Sequence, residues 1–250
     1  MSGTVRTSDG GGRLGSALSG LAVAVGCVLF LGGFAWGAVE YKPYTVPTDS
    51  MTPTVKVGDR VLAQRIDSSA VHRGDVVIFQ DPDWGDMPMV KRVVGVGGDK
   101  VACCDTRGRL TVNGNGINEP YLNADPLSKG RASAMGFTVK VPAGRLFLLG
   151  DERTNSMDSR VHLQDADHGS VPRSTVSARV DAIAWPLSGG TIGRPEAFAA
   201  LPGGVSQPGP LKLVVAAVLA GVVLILGGSV YGPLARGLGG RKKKVAVGVG

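Results

Sequence analysis

Two short stretches of the chain hold residues whose types and spacing could do chemistry. Ser50 stands in Thr48-Asp49-Ser50-Met51-Thr52-Pro53-Thr54, and Lys91 in Met89-Val90-Lys91-Arg92-Val93-Val94-Gly95-Val96. A serine hydroxyl attacks only when a base takes its proton. Histidine is the usual base, and the chain has His72, His162 and His168. None lies in a recognisable motif. His162 and His168 share the polar stretch HLQDADHG and His72 precedes a turn, so all three read as solvated loop residues. Lys91 is the other candidate base. Alternate residues of a strand share a face, which puts Lys91 on the side of Met89 and Val93. Such a lysine either lies along a sheet edge with its head in water, or is buried and must be paired or neutral, since burying its charge costs several kcal/mol. The residues alone leave both readings open.

Other chemistries find less support. Asp165, Asp167 and His168 match no standard metal-site spacing, so no metal or other cofactor is expected. GVGGDK lacks the spacing of a phosphate-binding loop. Three cysteines are too few for a disulfide-built scaffold. Cys27 falls in an apolar run and reads as a small apolar residue. Cys103 and Cys104 are adjacent and could bond to each other, stay reduced or bond between chains. They are assigned no catalytic role.

The elements that must position Ser50 and Lys91 follow from composition and charge. The chain has 250 residues, 43% apolar, with 39 glycines and 15 prolines, which argues against disorder. Its net charge is +7, but seven basic residues and one acid lie outside residues 40–235, leaving 20 basic against 19 acidic within. The excess charge therefore sits in the tails, beside apolar runs, and points to a membrane and not to nucleic acid. Leu14–Val39 and Leu213–Ala235 carry no formal charge over 26 and 23 residues. About 20 residues suffice to cross a bilayer core, and the first run is longer than the ~7–15-residue core of a cleaved signal peptide. Transmembrane helices are expected at 17–39 and 211–235, with Gly227-Gly228 and Pro233 ending or loosening the second. Gly33 and Gly37 have GxxxG spacing, a weak sign of helix pairing. The flanking basic residues place tails 1–16 and 236–250 in the cytoplasm and residues 40–210 on the extracytoplasmic face.

The middle segment predicts a mainly β fold. Short valine-rich runs at Arg60–Arg65, Val76–Phe79, Met89–Val96, Arg109–Val112, Thr138–Val141, Arg145–Leu149 and Ala178–Ala184 alternate with turn residues, as in an antiparallel sheet. Pro202–Pro210 reads as a linker. Phe79, Trp84 and Met87 are apolar residues for the core or, for Trp84 and Met87, a lipid surface.

In these blocks the chain resembles the bacterial type I signal peptidases, with the actinobacterial branch suggested by its second span. Ser50-Met51-x-Pro53-Thr54 resembles that family's nucleophile box, and Gly58-Asp59-Arg60-Val61-Leu62 the next. Arg73-Gly74-Asp75-Val76-Val77 with Lys91-Arg92-Val93-Val94-Gly95 resembles the base box. Gly150-Asp151-Glu152-Arg153-x-x-Ser156-x-Asp158-Ser159-Arg160 resembles the last. The resemblance implies an antiparallel β peptidase domain over 40–210 with a smaller β region inserted at 101–143. It implies a serine endopeptidase that removes signal peptides after small residues, A-x-A-like, through an acyl-enzyme. Ser50 would be nucleophile and Lys91 general base. Ser156 would orient the amine, and Thr48 would join the Ser50 N–H as oxyanion hole. Asp158 and Arg160 would form a supporting ion pair that holds the last box in place, with Asp151 and Arg153 as further structural support. Preproteins, the bilayer and the export machinery are the implied partners. The competing reading is a degenerate, non-catalytic anchored β domain serving as a scaffold. Three positions depart from the family pattern: Glu152 replaces Asn, Gly97 replaces Pro, and Thr48 replaces the Ser of many relatives.

Overall fold

The computed structural model describes residues 10–123 and 130–244, with side chains over 15–123 and 130–234. Residues 1–9 and 245–250 of the expected tails, and 124–129 of the expected insertion, lie outside the described residues. The chain divides into two compact units, Glu40–Gly209 and a second made of Met1–Val39 with Pro210–Gly250.

The second unit holds two long helices, α1 (Gly10–Glu40) and, after a four-residue helix α2 (Glu196–Ala199) in the other unit, α3 (Leu211–Lys244). Gly15–Glu40 and Leu211–Leu234 are long and apolar enough to cross a membrane, with mean hydropathies of 2.2 and 2.7. Both helices run past the spans expected from hydropathy. Pro233 lies inside α3 and Gly227-Gly228 does not end it. In an apolar setting an interrupted helix would expose backbone groups that nothing satisfies, which outweighs one missing N–H. The helices pack antiparallel through small residues. A Cβ added to Gly26 would come 2.9 Å from the Gly221 carbonyl oxygen, one on Gly33 would come 2.9 Å from Val218, and one on Gly37 3.0 Å from Val214. At the other end, the Ser19 hydroxyl donates to the Gly228 carbonyl at 2.7 Å. Small side chains let the backbones approach this closely.

The β unit contains two sheets. A seven-stranded antiparallel sheet has the order β1-β2-β11-β3-β4-β9-β10. Its strands are β1 (Tyr41–Thr45), β2 (Arg60–Arg65), β3 (Val76–Phe79), β4 (Met89–Val96), β9 (Arg145–Leu149), β10 (Ser170–Pro172) and β11 (Val176–Trp185). Between β4 and β9 comes a four-stranded sheet ordered β7-β6-β5-β8, built from β5 (Lys100–Cys103), β6 (Leu110–Val112), β7 (Asn115–Gly116) and β8 (Phe137–Lys140). Pattern reading missed β1, β5, β7 and β10. Strand β1 carries Pro43, which lacks a ladder donor, yet β1 is an edge strand, where proline is tolerated.

One local device recurs at three turns. Gly58, Gly74 and Gly98 all take positive φ, and each is followed by an aspartate. The carboxylates of Asp59, Asp75 and Asp99 accept from the backbone N–H three residues earlier, at Lys56, His72 and Val96, each at 2.8 Å. The glycine makes the bend without steric cost and the aspartate locks it.

The expected linker at Pro202–Pro210 is instead packed chain up to Gly209. Leu201 and Ser206 are buried, Arg73 donates to the Pro202 carbonyl at 2.6 Å, and Ser206 Oγ bonds Asp75. Composition suggested a linker because Pro and Gly dominate it; a few anchoring side chains decide otherwise. Phe79 is fully buried and meets Trp84 edge-on, so it belongs to the core, while Met87 is 67% exposed.

Candidate active site

Ser50 lies in the turn that follows β1. Thr52 N donates to Asp49 O at 2.8 Å and Val55 N to Met51 O at 2.9 Å, which winds the chain tightly around it. The fully buried Met51 and Val55 anchor this turn in the apolar core formed with Val61, Val76 and Val90. Lys91 comes from β4, where the ladder sets it opposite Val77 and sets Met89 opposite Phe79. Val77, Phe79, Met89 and Val93 pack in one apolar cluster, so the lysine stem rises from the apolar face that strand alternation implies.

The two side chains meet. Lys91 Nζ is 2.9 Å from Ser50 Oγ and donates to the Val90 carbonyl at 3.1 Å; each residue is only 5% exposed. Burial pulls the Lys91 amine below its ordinary pKa, and the carboxylates of Asp158 and Asp151, which pull it back up, do not cancel the effect. The Thr48 hydroxyl lies 3.2 Å from Ser50 Oγ. A cleft of about 670 Å³ opens over the pair, lined by Tyr44, Val46, Ile78, Met87, Met89 and Val90 among others.

Beneath the pair lies the segment after β9. Gly150 donates to Asp158 Oδ2 at 3.0 Å, and its bare Cα fits where a Cβ would collide with Ser156 Oγ and the Ser50 carbonyl oxygen. Glu152 N donates to that same carbonyl at 3.0 Å. The backbone of Glu152 holds the serine turn while its side chain accepts from Thr154, which explains why an acidic residue is tolerated there. Ser156 Oγ is buried with no hydrogen-bond partner among the described residues, and it makes no bond to Lys91.

The buried carboxylates on this floor are each matched by an arginine. Arg160 grips Asp158 through Nε at 2.9 Å and Nη2 at 2.7 Å. Arg92 grips Asp151 in the same two-pronged way, at 2.9 and 2.7 Å, and the Thr54 hydroxyl adds a bond at 2.5 Å. Arg153 takes Glu119 at 2.6 and 3.0 Å and donates to the Gly150 carbonyl at 2.9 Å. Burial pushes the Asp158 carboxyl up, but hydrogen bonds and charge from Arg160, with the Gly150 N–H, hold it below its ordinary value. Burial likewise opposes the charge on Arg92, and Asp151 more than offsets it. Sequence reasoning missed Arg92, Glu119 and Tyr121. The only signal was Arg92 alternating onto the opposite face of β4 from Lys91.

The histidines make no contact with the Ser50–Lys91 pair among the described residues. His162 stacks on Trp84 at 4.4 Å along the cleft wall, and His72 and His168 lie in turns. Cys103 and Cys104 are joined as a vicinal disulfide in the smaller sheet. Among the described residues no group of three or more His, Cys, Asp and Glu is placed to hold a metal ion.

Comparison with known proteins gives the following. The family described as "Signal peptidase, peptidase S26" matches residues 18–185. The chain is similar to the probable signal peptidase I of Mycobacterium leprae (strain TN), 34% identical over 202 residues that cover 59% of this chain and 69% of that one. It is 33% identical to the signal peptidase I of Mycobacterium tuberculosis (strain ATCC 25618 / H37Rv) over 194 residues, covering 59% of this chain and 66% of the relative. It thus spans about two thirds of the length of these curated relatives. A solved signal peptidase I from Enterococcus faecalis V583 is 28% identical, covers 43% of this chain and 94% of that chain, and gives a TM-score of 0.36.

Proposed function

The chain belongs to the S26 family of signal peptidases, which are serine endopeptidases, and from that premise we propose that it cleaves signal peptides from exported preproteins with Ser50 as nucleophile and Lys91 as general base. The observation that carries this is the buried amine 2.9 Å from the serine oxygen. A lysine at its ordinary pKa is almost wholly charged at neutral pH and cannot accept a proton. Burial lowers the pKa of Lys91 and so enlarges the neutral fraction.

In the first step Lys91 Nζ takes the Ser50 proton as Oγ attacks the scissile carbonyl. The oxyanion that forms is met by the Ser50 N–H and the Thr48 hydroxyl. Collapse breaks the C–N bond, Lys91 returns its proton to the leaving amine, and an ester on Ser50 remains. Lys91 then takes a proton from water, which attacks the ester, and returns that proton to Ser50 Oγ as the acyl C–O bond breaks. Ser156, with its buried and unpartnered hydroxyl, is suited to steady the amine once substrate enters. Asp158 with Arg160 and Asp151 with Arg92 hold the floor.

The cleft suits an extended peptide. Met89–Lys91 pair with β3 on one side, but the β4–β9 ladder begins only at Arg92, leaving their other backbone edge without a strand partner among the described residues. A peptide added there as a strand points its −1 and −3 side chains the same way. Those two meet the apolar wall of Val46, Ile78 and Val90, which favours small residues, A-x-A-like. The two apolar helices are read as membrane spans with both termini cytoplasmic and the β unit extracytoplasmic, where preproteins emerge.

The test is cleavage of a preprotein bearing an A-x-A site by the purified full chain. Ser50→Ala and Lys91→Ala each lower turnover by about 10⁴-fold or more while the protein still folds. Near-normal turnover by either variant would remove the dyad.

A further inference from the structure

The dyad's floor is held by a segment that the mechanism does not use. After β7 the chain runs through Glu119-Pro120-Tyr121 and enters the space beneath β4 and β9. Glu119 is buried with Arg153; the side chains are each 4% exposed. Its carboxylate accepts both prongs of the Arg153 guanidinium and, at 2.6 Å, the hydroxyl of Tyr121. The Tyr121 ring carries the Arg92 guanidinium on its face, 3.9 Å from the ring centre. Burial, with the Glu119 charge, pushes the Tyr121 phenol well up, so it stays a neutral donor.

The two arginines then act on neighbouring residues. Arg153 holds the Gly150 carbonyl and Arg92 holds the Asp151 carboxylate. Gly150 in turn abuts the Ser50 carbonyl and Ser156. Two residues of the β7–β8 connection in the smaller sheet, Glu119 and Tyr121, thus reach the reacting pair through two guanidinium groups.

We propose that Glu119 and Tyr121 are positioning residues for catalysis, holding Gly150-Asp151 against the Ser50 turn through Arg153 and Arg92. This rests on the Ser50–Lys91 reading above. Two consequences separate it from a plain folding role. Displacing Gly150 moves the serine relative to the amine, which affects the chemical step more than substrate binding. Loosening Arg92 leaves Asp151 less neutralised, which favours the charged lysine. The groups facing Lys91 are Asp151 and Asp158 with their arginines, Arg92 and Arg160, on the floor; Asp49 and His162 line the cleft.

The experiment compares Tyr121→Leu, Tyr121→Phe and Glu119→Gln with wild type and Ser50→Ala in the preprotein assay, across pH, with thermal melting of each. Tyr121→Leu, which removes the ring, lowers kcat by about 10–100-fold with KM changed by less than about threefold, and moves the acid limb of the pH profile upward. Glu119→Gln lowers kcat by about 10-fold. Tyr121→Phe keeps the ring and loses only the bond to Glu119, so its kcat falls by about threefold. If Tyr121→Leu does not fold, Tyr121→Trp replaces it, with a smaller loss expected than for Glu119→Gln. Wild-type kcat and pH profile in Tyr121→Leu and Glu119→Gln would overturn the proposal, as would losses that only follow the folded fraction. Activity retained by Ser50→Ala would instead overturn the dyad reading itself.

Discussion

Lys91 has two unlike neighbourhoods. On the cleft side it meets apolar walls, with Ile78 and Val90 nearly inaccessible to water. On the floor side it faces two carboxylates, Asp151 and Asp158, each already gripped by an arginine. The dry side favours the neutral amine, and the carboxylates favour the charged one. The lowered pKa is therefore a difference between opposing effects, in which burial outweighs the two carboxylates.

This contrast can be tested from each side. Lys91→Met keeps the volume and removes the amine. It abolishes turnover, and it also stabilises the fold at neutral pH, raising Tm by about 2–4 °C in a melting experiment. The sign follows from linkage: the unfolded chain binds a proton up to the ordinary lysine value of 10.5, while the folded protein releases it at lower pH. The folded wild type thus carries the whole penalty below its own lowered value, the penalty shrinks as pH rises from there towards 10.5, and above 10.5 the advantage of Lys91→Met is gone. A loss of stability at pH 7 would mean that the amine is comfortably charged.

Arg92→Met strikes the floor. It leaves Asp151 buried and unmatched, costing about 3–5 kcal/mol by denaturant titration. In whatever remains folded, the acid limb of the pH profile moves upward, and Asp151→Asn in the same chain restores it. Thr48→Val tests the cleft edge by removing a hydroxyl while keeping the shape. It lowers kcat by about 10–100-fold with KM little changed, unless the Ser50 N–H suffices alone. Ile78→Thr wets the apolar wall slightly and shifts the acid limb upward by less than Arg92→Met does. Asp158→Asn shifts it the other way, because one of the charges favouring protonation is gone. The same sign of shift for Arg92→Met and Asp158→Asn would show that the balance is not electrostatic.

What the sequence revealed divides along the same line. The apolar setting of Lys91 was legible, because strand alternation ties it to Met89 and Val93. The Ser50 turn was legible through its box of small and polar residues. The floor was not, because its arginines look like surface residues to any hydropathy rule. Arg92 alternates onto the other buried face of β4, and only its bidentate partner, 59 positions away, makes that burial tolerable. Glu119 and Tyr121 follow a strand of two residues, too short to give a periodic signal. The chain at 202–209 was misread for a related reason: its packing depends on isolated contacts such as Ser206 with Asp75, not on a pattern.

The paired helices carry a constraint on length as well as on composition. Ser19, Gly26 and Gly33 are seven apart on α1, and Gly221 and Gly228 are seven apart on α3. Seven residues make nearly two whole turns, so these positions stay on one seam. Inserting one alanine between Gly26 and Gly33 would rotate everything beyond it by about 100° and push bulky side chains into the contact. Insertions and deletions there are tolerable only in multiples near seven, whereas the β-unit loops are free of that arithmetic.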